Sequence, residues 1–510
     1  MSSPPSATSP APVASPSPAE APSRGRRRLP AIGTVLFEKL GLGLLSLAAL
    51  VGFVVYPTYP NYDSYYSLLW GRELLALDQL SFTAYRAPTE HPLAIAFGAL
   101  LVPLGDVADR VMVGFAVLSF IVLAAGVYVL AKTAFTPLVG AAAAFLLVTR
   151  FDFPFLAARG YIDISYLAVV IWAAVIEARA PRRHPLVVLG LLAAAGLMRP
   201  EAWLLAGLYW LWLVPRASWV QRVRYAALAA IGPLVWAAVD FAVTGRPLYS
   251  LTATSELAEE LGRNKGVEAV PEALYTFLIK LDKFPVFVAG VLGLVLAIAL
   301  TPRRAAMPLA LLGAGVGTFA MVGVAGLSVI ERYLLVPSLC LMIFAAVCVA
   351  GWTMLREDSG WRRAWAAAGA AVVIFGVVFT ATRVNLHQLD VELRFRGDAH
   401  AALEQVLSAP AVVSALRCGP VHVPNHKLIP DVRWILDRSR TGVLARSARR
   451  SAGRPNPSAP RRGVVILVHQ RIALFKQALV STNDNPLDNL PPPGFTRAAT
   501  SRYYAAYVSC

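Results

Sequence analysis

Charged side chains are scarce in this chain, 15% of residues, and acidic ones scarcer still, with 30 Asp and Glu against 47 Lys and Arg. Soluble domains carry about 25% charged residues. With 57% hydrophobic residues and a mean hydropathy of +0.58, an ordinary soluble enzyme or binding domain is excluded. Cysteine is nearly absent: four in 510 residues, with no C-x-x-C and no His/Cys group at metal-ligand spacing, so neither a zinc module nor a dithiol redox motif is encoded. Cys340 and Cys348 lie in an apolar run, Cys418 and Cys510 in the polar C-terminal part. A Cys418–Cys510 bridge and two free thiols are both compatible with that distribution. The formal charge of +17 does not indicate nucleic acid, because the arginines fall in short clusters between apolar runs, the pattern of cytoplasmic loops in membrane proteins.

What the chain does have is long hydrophobic runs. Residues 1–30 are Pro, Ser and Ala with few large apolar side chains, a composition that predicts a disordered cytoplasmic tail. The tail ends at Arg24, Arg26, Arg27 and Arg28, just ahead of the apolar run 32–55. Further runs cover 111–131, 138–149, 164–177, 186–198, 202–214, 225–243, 286–300, 307–327, 333–352 and 364–380. They predict a polytopic α-helical membrane protein with about eleven transmembrane helices. Residues 93–104 offer far fewer than the roughly 20 apolar residues a crossing needs, and read as a short re-entrant or surface helix. With that assignment, Lys132, Arg179 to His184, Arg216 to Arg224, Arg303 with Arg304, and Arg356 to Arg363 all fall on one side. The positive-inside bias makes that side cytoplasmic. The outer loop 57–91, the turn Arg199-Pro200-Glu201, the pair Glu331-Arg332 and everything beyond residue 383 then face outward.

The chain thus divides into a tail (1–30), a transmembrane domain (31–382) and an extracytoplasmic domain (383–510). The last has mixed charge, two β-branched runs at 420–423 and 463–468, and a helical stretch at 398–407, which predicts a small α/β fold. Residues 438–462, rich in arginine, read as a long loop.

Charges in or beside spans cost on the order of 2.5–3.5 kcal/mol at a helix centre, so those retained on the outer face are candidates for chemistry. Asp63 sits among tyrosines in Y-P-N-Y-D-S-Y-Y; Asp163 in G-Y-I-D-I-S-Y; Arg199 and Glu201 flank a proline; Glu331 and Arg332 open a span; Glu90-His91-Pro92 opens the short apolar run. Each also has a plain structural reading. Asp163 can cap a helix, R-P-E can be a tight turn, Glu331-Arg332 a weak interfacial pair and His91 a polar flank. Their agreement on one face favours a site in which acids and arginines handle a hydroxyl nucleophile and an anionic leaving group.

The order of these motifs carries a resemblance: an outer-loop Asp, a helix ending in G-R-E-L-L, x-H-P-L opening a short helix, a second acid, then R-Y-L-L-V-P. Over about residues 37–352 the chain resembles the GT-C superfamily of membrane glycosyltransferases, and within it the protein O-mannosyltransferase and lipid A aminoarabinose transferase branch. The resemblance implies transfer of a sugar from a polyprenyl-phosphate donor to an acceptor outside the membrane. It implies Asp63 as general base and Asp163 as a positioning or metal-associated acid, with a divalent ion as the cofactor that role would need. The family pattern often has Asp-Glu where this chain has Asp63-Ser64, a basic residue where it has Tyr66, and lysine where it has His91. Arg72, Arg86, Arg159, Arg199 and Arg332 are available in their place for the phosphate. A carrier or lipid flippase would use the same buried charges, but the sequence lacks the repeated halves such proteins show. A cell-envelope assembly subunit without catalysis is the third reading.

Overall fold

Every one of the eleven apolar runs carries a helix in the computed structural model, which describes residues 32–260, 262–383, 386–450, 460–476 and 486–510. The expected tail 1–30 lies outside the described residues, as does part of the 438–462 stretch. The chain divides into two units, Met1–Leu45 and Ser46–Cys510. The first holds the beginning of helix α1 (Ile32–Val55); the second holds everything discussed below.

Among the described residues, six helical segments are long and apolar enough to cross a membrane: Leu36–Val55, Pro92–Ala134, Trp219–Thr244, Pro302–Val324, Glu331–Met354 and Gly360–Phe379. Two bent pairs raise the number to eight. The eleven expected crossings exceed that count for physical reasons. The helix Ile162–Arg179 carries Asp163, Glu177 and Arg179, and Pro185–Met198 has only 14 residues.

The polar loop after α1 folds into α2 (Tyr62–Leu75). The short apolar run becomes α3 (Pro92–Leu101), joined to α4 (Ala108–Ala134) through a kink at Gly105. Then come α5 (Pro137–Thr149), α6 (Asp152–Ala158), α7 (Ile162–Arg179), α8 (Pro185–Met198), α9 (Glu201–Leu213) and α10 (Trp219–Thr244). A connection holding α11 (Tyr249–Glu260) leads to α12 (Val270–Asp282), α13 (Phe284–Leu300), α14 (Pro302–Val324), α15 (Leu335–Ala350) and α16 (Gly360–Arg383). Helices α3, α5, α8 and α14 all start at proline, which has no N–H to leave unpaired in the first turn.

Two packing features set the site. Helices α2 and α3 touch backbone to backbone: a Cβ on Gly98 would run into the Ser67 carbonyl, and one on Gly71 into the Ala99 amide. Helix α15 is the hub, buried at every residue from Leu335 to Val347, as expected of a helix apolar all round. By contrast Leu234 and Phe241 on α10, and Ile374, Phe375 and Val377 on α16, are exposed, a surface suited to lipid.

The C-terminal part contains α17 (Leu386–Leu407), α18 (Pro410–Ala415), α19 (Ile429–Ile435) and five strands: β1 (Val421–Val423), β2 (Val443–Ala445), β3 (Gly463–Val468), β4 (Thr496–Thr500) and β5 (Tyr504–Ser509). Their order in the sheet is β2-β1-β3-β5-β4, parallel from β2 to β3 and antiparallel beyond. The two expected strands are the centre of this sheet, and β2 lies inside the stretch expected to be only loop. The helix expected at 398–407 extends back to Leu386. Cys418 and Cys510 are bridged, and Cys340 and Cys348 are free.

Candidate active site

One end of the bundle is organised by a cap. Asn61 ends the extended segment before α2 and accepts hydrogen bonds from the Asp63 N–H (2.8 Å) and the Ser64 N–H (3.4 Å), satisfying amides a helix start leaves open. The Asn61 amide and the Ser64 hydroxyl in turn donate to the carbonyls of Arg159 (3.2 Å) and Gly160 (2.6 Å). Gly160 takes φ +62°, a left-handed turn that a side chain would resist. Tyr161 and the first turn of α7 follow, so Asp63 and Asp163, a hundred residues apart in sequence, occupy the first turns of two helices stitched together. Partial positive charge at both helix starts favours a carboxylate at each.

Arg332 lies between them, in the short turn that leads into the buried hub helix. Its Nη1 is 3.1 Å from Asp63 Oδ2 and 3.5 Å from Asp163 Oδ2. Asp163 also pairs with Arg199, whose other nitrogens donate to Glu201 Oε1 at 2.6 and 2.9 Å. The result is a chain of charges, Asp63, Arg332, Asp163, Arg199 and Glu201, drawn from four segments. Its two acids differ in access: the Asp63 side chain is 20% exposed and that of Asp163 1%.

Asp63 faces a cavity of about 470 Å³. His91, Arg159, Arg199, Glu201 and Arg332 line it too, and so do residues that sequence reasoning did not single out: Tyr161, Arg263, Tyr333 and, from the C-terminal part, Arg396, His426, Lys427 and Asp431. Arg263 is placed by backbone pairing of Asn264 and Lys265 with Val329 and Ser328, just ahead of Arg332. It is exposed, and among the described residues it has no ion-pair partner. Arg159 is held by the carbonyls of Tyr59 (3.0 Å) and Pro60 (3.2 Å) and lies over the Tyr59 ring. Arg86 reaches Glu260 at 3.0 Å and His426 Nδ1 at 3.3 Å.

Polar atoms remain open around this space. Among the described residues, His91 Nδ1 and Glu201 Oε2 are buried with no hydrogen-bond partner, which is costly unless a ligand or water answers them. Burial, and after it the neighbouring Arg199, push the His91 imidazole down to about 4, so it is neutral at pH 7 and offers hydrogen bonds rather than charge. Burial likewise lowers His426 to about 3 and raises Asp431 to about 6.

Five of the residues expected at the site do not line the cavity. Tyr66 is fully buried against Tyr62 and Trp70. Arg72 reaches away to Asp437 and to the carbonyls of Arg433 and Arg438, fastening α2 to the C-terminal part together with the Glu73–Arg433 pair at 2.6 Å. Glu90 is buried beside Asp240 and Ser250, and burial plus the Asp240 charge raise it to about 8. Glu331 turns to Lys280 at 2.6 Å. Asp163 lies one layer behind the cavity wall.

A divalent ion does not fit these acids. Among the described residues no group of three or more His, Cys, Asp and Glu side chains gathers as a ligand set, and the Asp63 and Asp163 oxygens facing each other are bridged by a guanidinium.

The fold of this chain has counterparts among solved structures. Among solved structures the chain is similar to ArnT from Cupriavidus metallidurans bound to undecaprenyl phosphate, with a TM-score of 0.55 and 12% identity over 91% of this chain and 97% of that one. It is also similar to the oligosaccharyltransferase AglB from Archaeoglobus fulgidus in complex with an inhibitory peptide and a dolichol-phosphate, with a TM-score of 0.51 and 12% identity over 90% of this chain and 72% of that one. At such identity the likeness is one of fold. No protein-family model and no curated protein matches the chain.

Proposed function

We propose that this protein is a membrane glycosyltransferase that moves a sugar from a polyprenyl-phosphate donor to an acceptor hydroxyl on the outer side of the membrane. The observation that carries the reading is the Arg332 bridge between Asp63 and Asp163 at the wall of a polar cavity with an unpaired Arg263 beside it. The GT-C fold supports it, since the similar ArnT and AglB structures hold undecaprenyl phosphate and a dolichol-phosphate.

In this reading the donor phosphate lies against Arg332 and Arg263, two guanidiniums suited to a phosphate. Asp63 takes the proton from the acceptor hydroxyl as its oxygen attacks the anomeric carbon. The bond from that carbon to the phosphate oxygen breaks, and the electron pair leaves on the phosphate, where the arginines stabilise it. His91 and Glu201 offer their open atoms to sugar hydroxyls. Asp163 touches no reacting atom; it is a positioning residue that holds Arg332 and Arg199.

The orientation belongs to the same proposal: N-terminus in the cytoplasm, residues 383–510 outside. It is supported by the Cys418–Cys510 bridge, which needs an oxidising compartment. It is supported too by the basic clusters at the end of the bundle opposite Asp63, where Arg182 donates to the Trp212 carbonyl and Arg222 to those of Val214 and Ala217. The test is release of polyprenyl phosphate from a polyprenyl-phosphate-linked sugar by the purified protein in the presence of a cell-envelope extract as acceptor. Wild type releases it; Asp63→Asn does not, although it keeps its melting temperature. Release by the variant at the wild-type rate would remove Asp63 from the mechanism.

A further inference from the structure

A second cavity, of about 560 Å³, lies at the opposite end of the bundle from Asp63, between α7, α8, α9 and α14. Its wall is apolar, with Val170, Leu192, Leu205 and Leu311 among its lining side chains. It is not sealed: Leu208 and Trp212, also on its wall, are 43% and 51% exposed. Three features say what covers it.

The first is charge. Arg303 and Arg304 line the cavity, both are exposed, and neither has an ion-pair partner among the described residues. They sit in the first turn of α14, which contains no acid, so nothing in their own helix offsets them. The second is that the one acid on the wall is already spent. Glu177 accepts from the Tyr209 hydroxyl at 2.7 Å, from Trp212 Nε1–H at 3.2 Å and from the Arg182 backbone N–H at 2.9 Å. That network fixes the last turn of α7 to α9 and keeps the wall in shape, but it does not reach the arginine pair. The third is place. The cavity is walled by α14, which is long and apolar enough to cross a membrane, and lies beside exposed apolar side chains of α8 and α9, Val187, Leu208 and Trp212, at the end where the arginine clusters gather, a surface suited to lipid.

An apolar void with two unpaired cations at its rim complements a molecule with a chain and an anionic head. We propose that this cavity binds an anionic glycerophospholipid of the leaflet at that end, one acyl chain filling the void and the phosphate on Arg303 and Arg304. The lipid is then a structural ligand, wedged between α14 and the α7–α9 group; the proposal is independent of the transfer reaction.

The test uses the full chain in phosphatidylcholine nanodiscs doped with either photoactivatable phosphatidylglycerol or photoactivatable phosphatidylcholine, with the labelled peptides mapped by mass spectrometry. Phosphatidylglycerol is expected to label peptides of α9 and α14 roughly tenfold more than phosphatidylcholine, a preference that two guanidiniums near an anionic headgroup can supply. Arg303→Gln with Arg304→Gln lowers that labelling to the phosphatidylcholine level. Ala310→Trp, which fills the void, removes the label from these peptides for both lipids. Equal labelling by the two lipids in the wild type overturns the proposal. So does a preference for phosphatidylglycerol that survives both variants.

Discussion

Asp63 and Asp163 share one guanidinium but stand in different surroundings, and that difference separates their roles. Asp63 is reachable from the cavity and its loss leaves Arg332 paired with Asp163, so under the proposed mechanism Asp63→Asn is expected to remove transfer without lowering stability. Asp163 is sealed behind the wall, and Asp163→Ala strands Arg332 and Arg199 beside a cavity with fewer partners. Breaking a buried pair costs about 3–5 kcal/mol, so a clear fall in melting temperature is expected together with lost transfer. Glu90 gives a pH signature. Its folded carboxyl is raised to about 8 from an ordinary value of 4.5, so the folded state keeps a proton that the unfolded chain releases, and stability falls as pH climbs through that range. His91, lowered to about 4, acts in the opposite sense only up to its unfolded value near 6.5. Between pH 6.5 and 8 the melting temperature of wild type should therefore drop more than that of Glu90→Gln. The two aspartates were legible in the sequence as acids at span boundaries, and Arg199, Glu201 and Arg332 as charges beside turns. Arg263, Arg396, His426 and Lys427 were not, because their nearness to Asp63 arises from a loop and a C-terminal part that fold back over the bundle, and neither leaves a periodic mark.

Among the elements, α2 and α3 carry the argument. The cap at Asn61 sets where α2 begins, and the glycine contact between the two helices sets where it lies. Gly98→Val would push α3 off the Ser67 carbonyl, at a cost of about 1–3 kcal/mol for an overpacked contact. Because α2 carries Asp63, transfer should fall along with melting temperature, whereas Gly207→Val, at a position with open space around it, should leave both near wild type. Every run that hydropathy picked out carries a helix, because lipid leaves backbone groups no alternative to helix. Among the described residues six to eight segments are long and apolar enough to cross, fewer than the eleven runs, because α7 carries three charged residues and α8 and α9 are short. Strands β4 and β5 were missed because T-R-A-A-T and Y-A-A-Y-V-S hold few β-branched residues; their pairing with β3 supplies what composition does not.

At the scale of the whole molecule, the C-terminal part is a wall of the site, tied down by the Arg72–Asp437 and Glu73–Arg433 pairs and closed on itself by the Cys418–Cys510 bridge. Cys418→Ser with Cys510→Ser should cost about 2–5 kcal/mol of its stability, read as faster proteolysis of residues 383–510 while the helical bundle stays intact. The most direct test of the whole account is a cryo-electron microscopy structure with undecaprenyl phosphate bound. The phosphate is expected in the cavity that Asp63 lines, within hydrogen-bond reach of Arg332 and Arg263. A lipid phosphate found at another place, with that cavity empty, would contradict it.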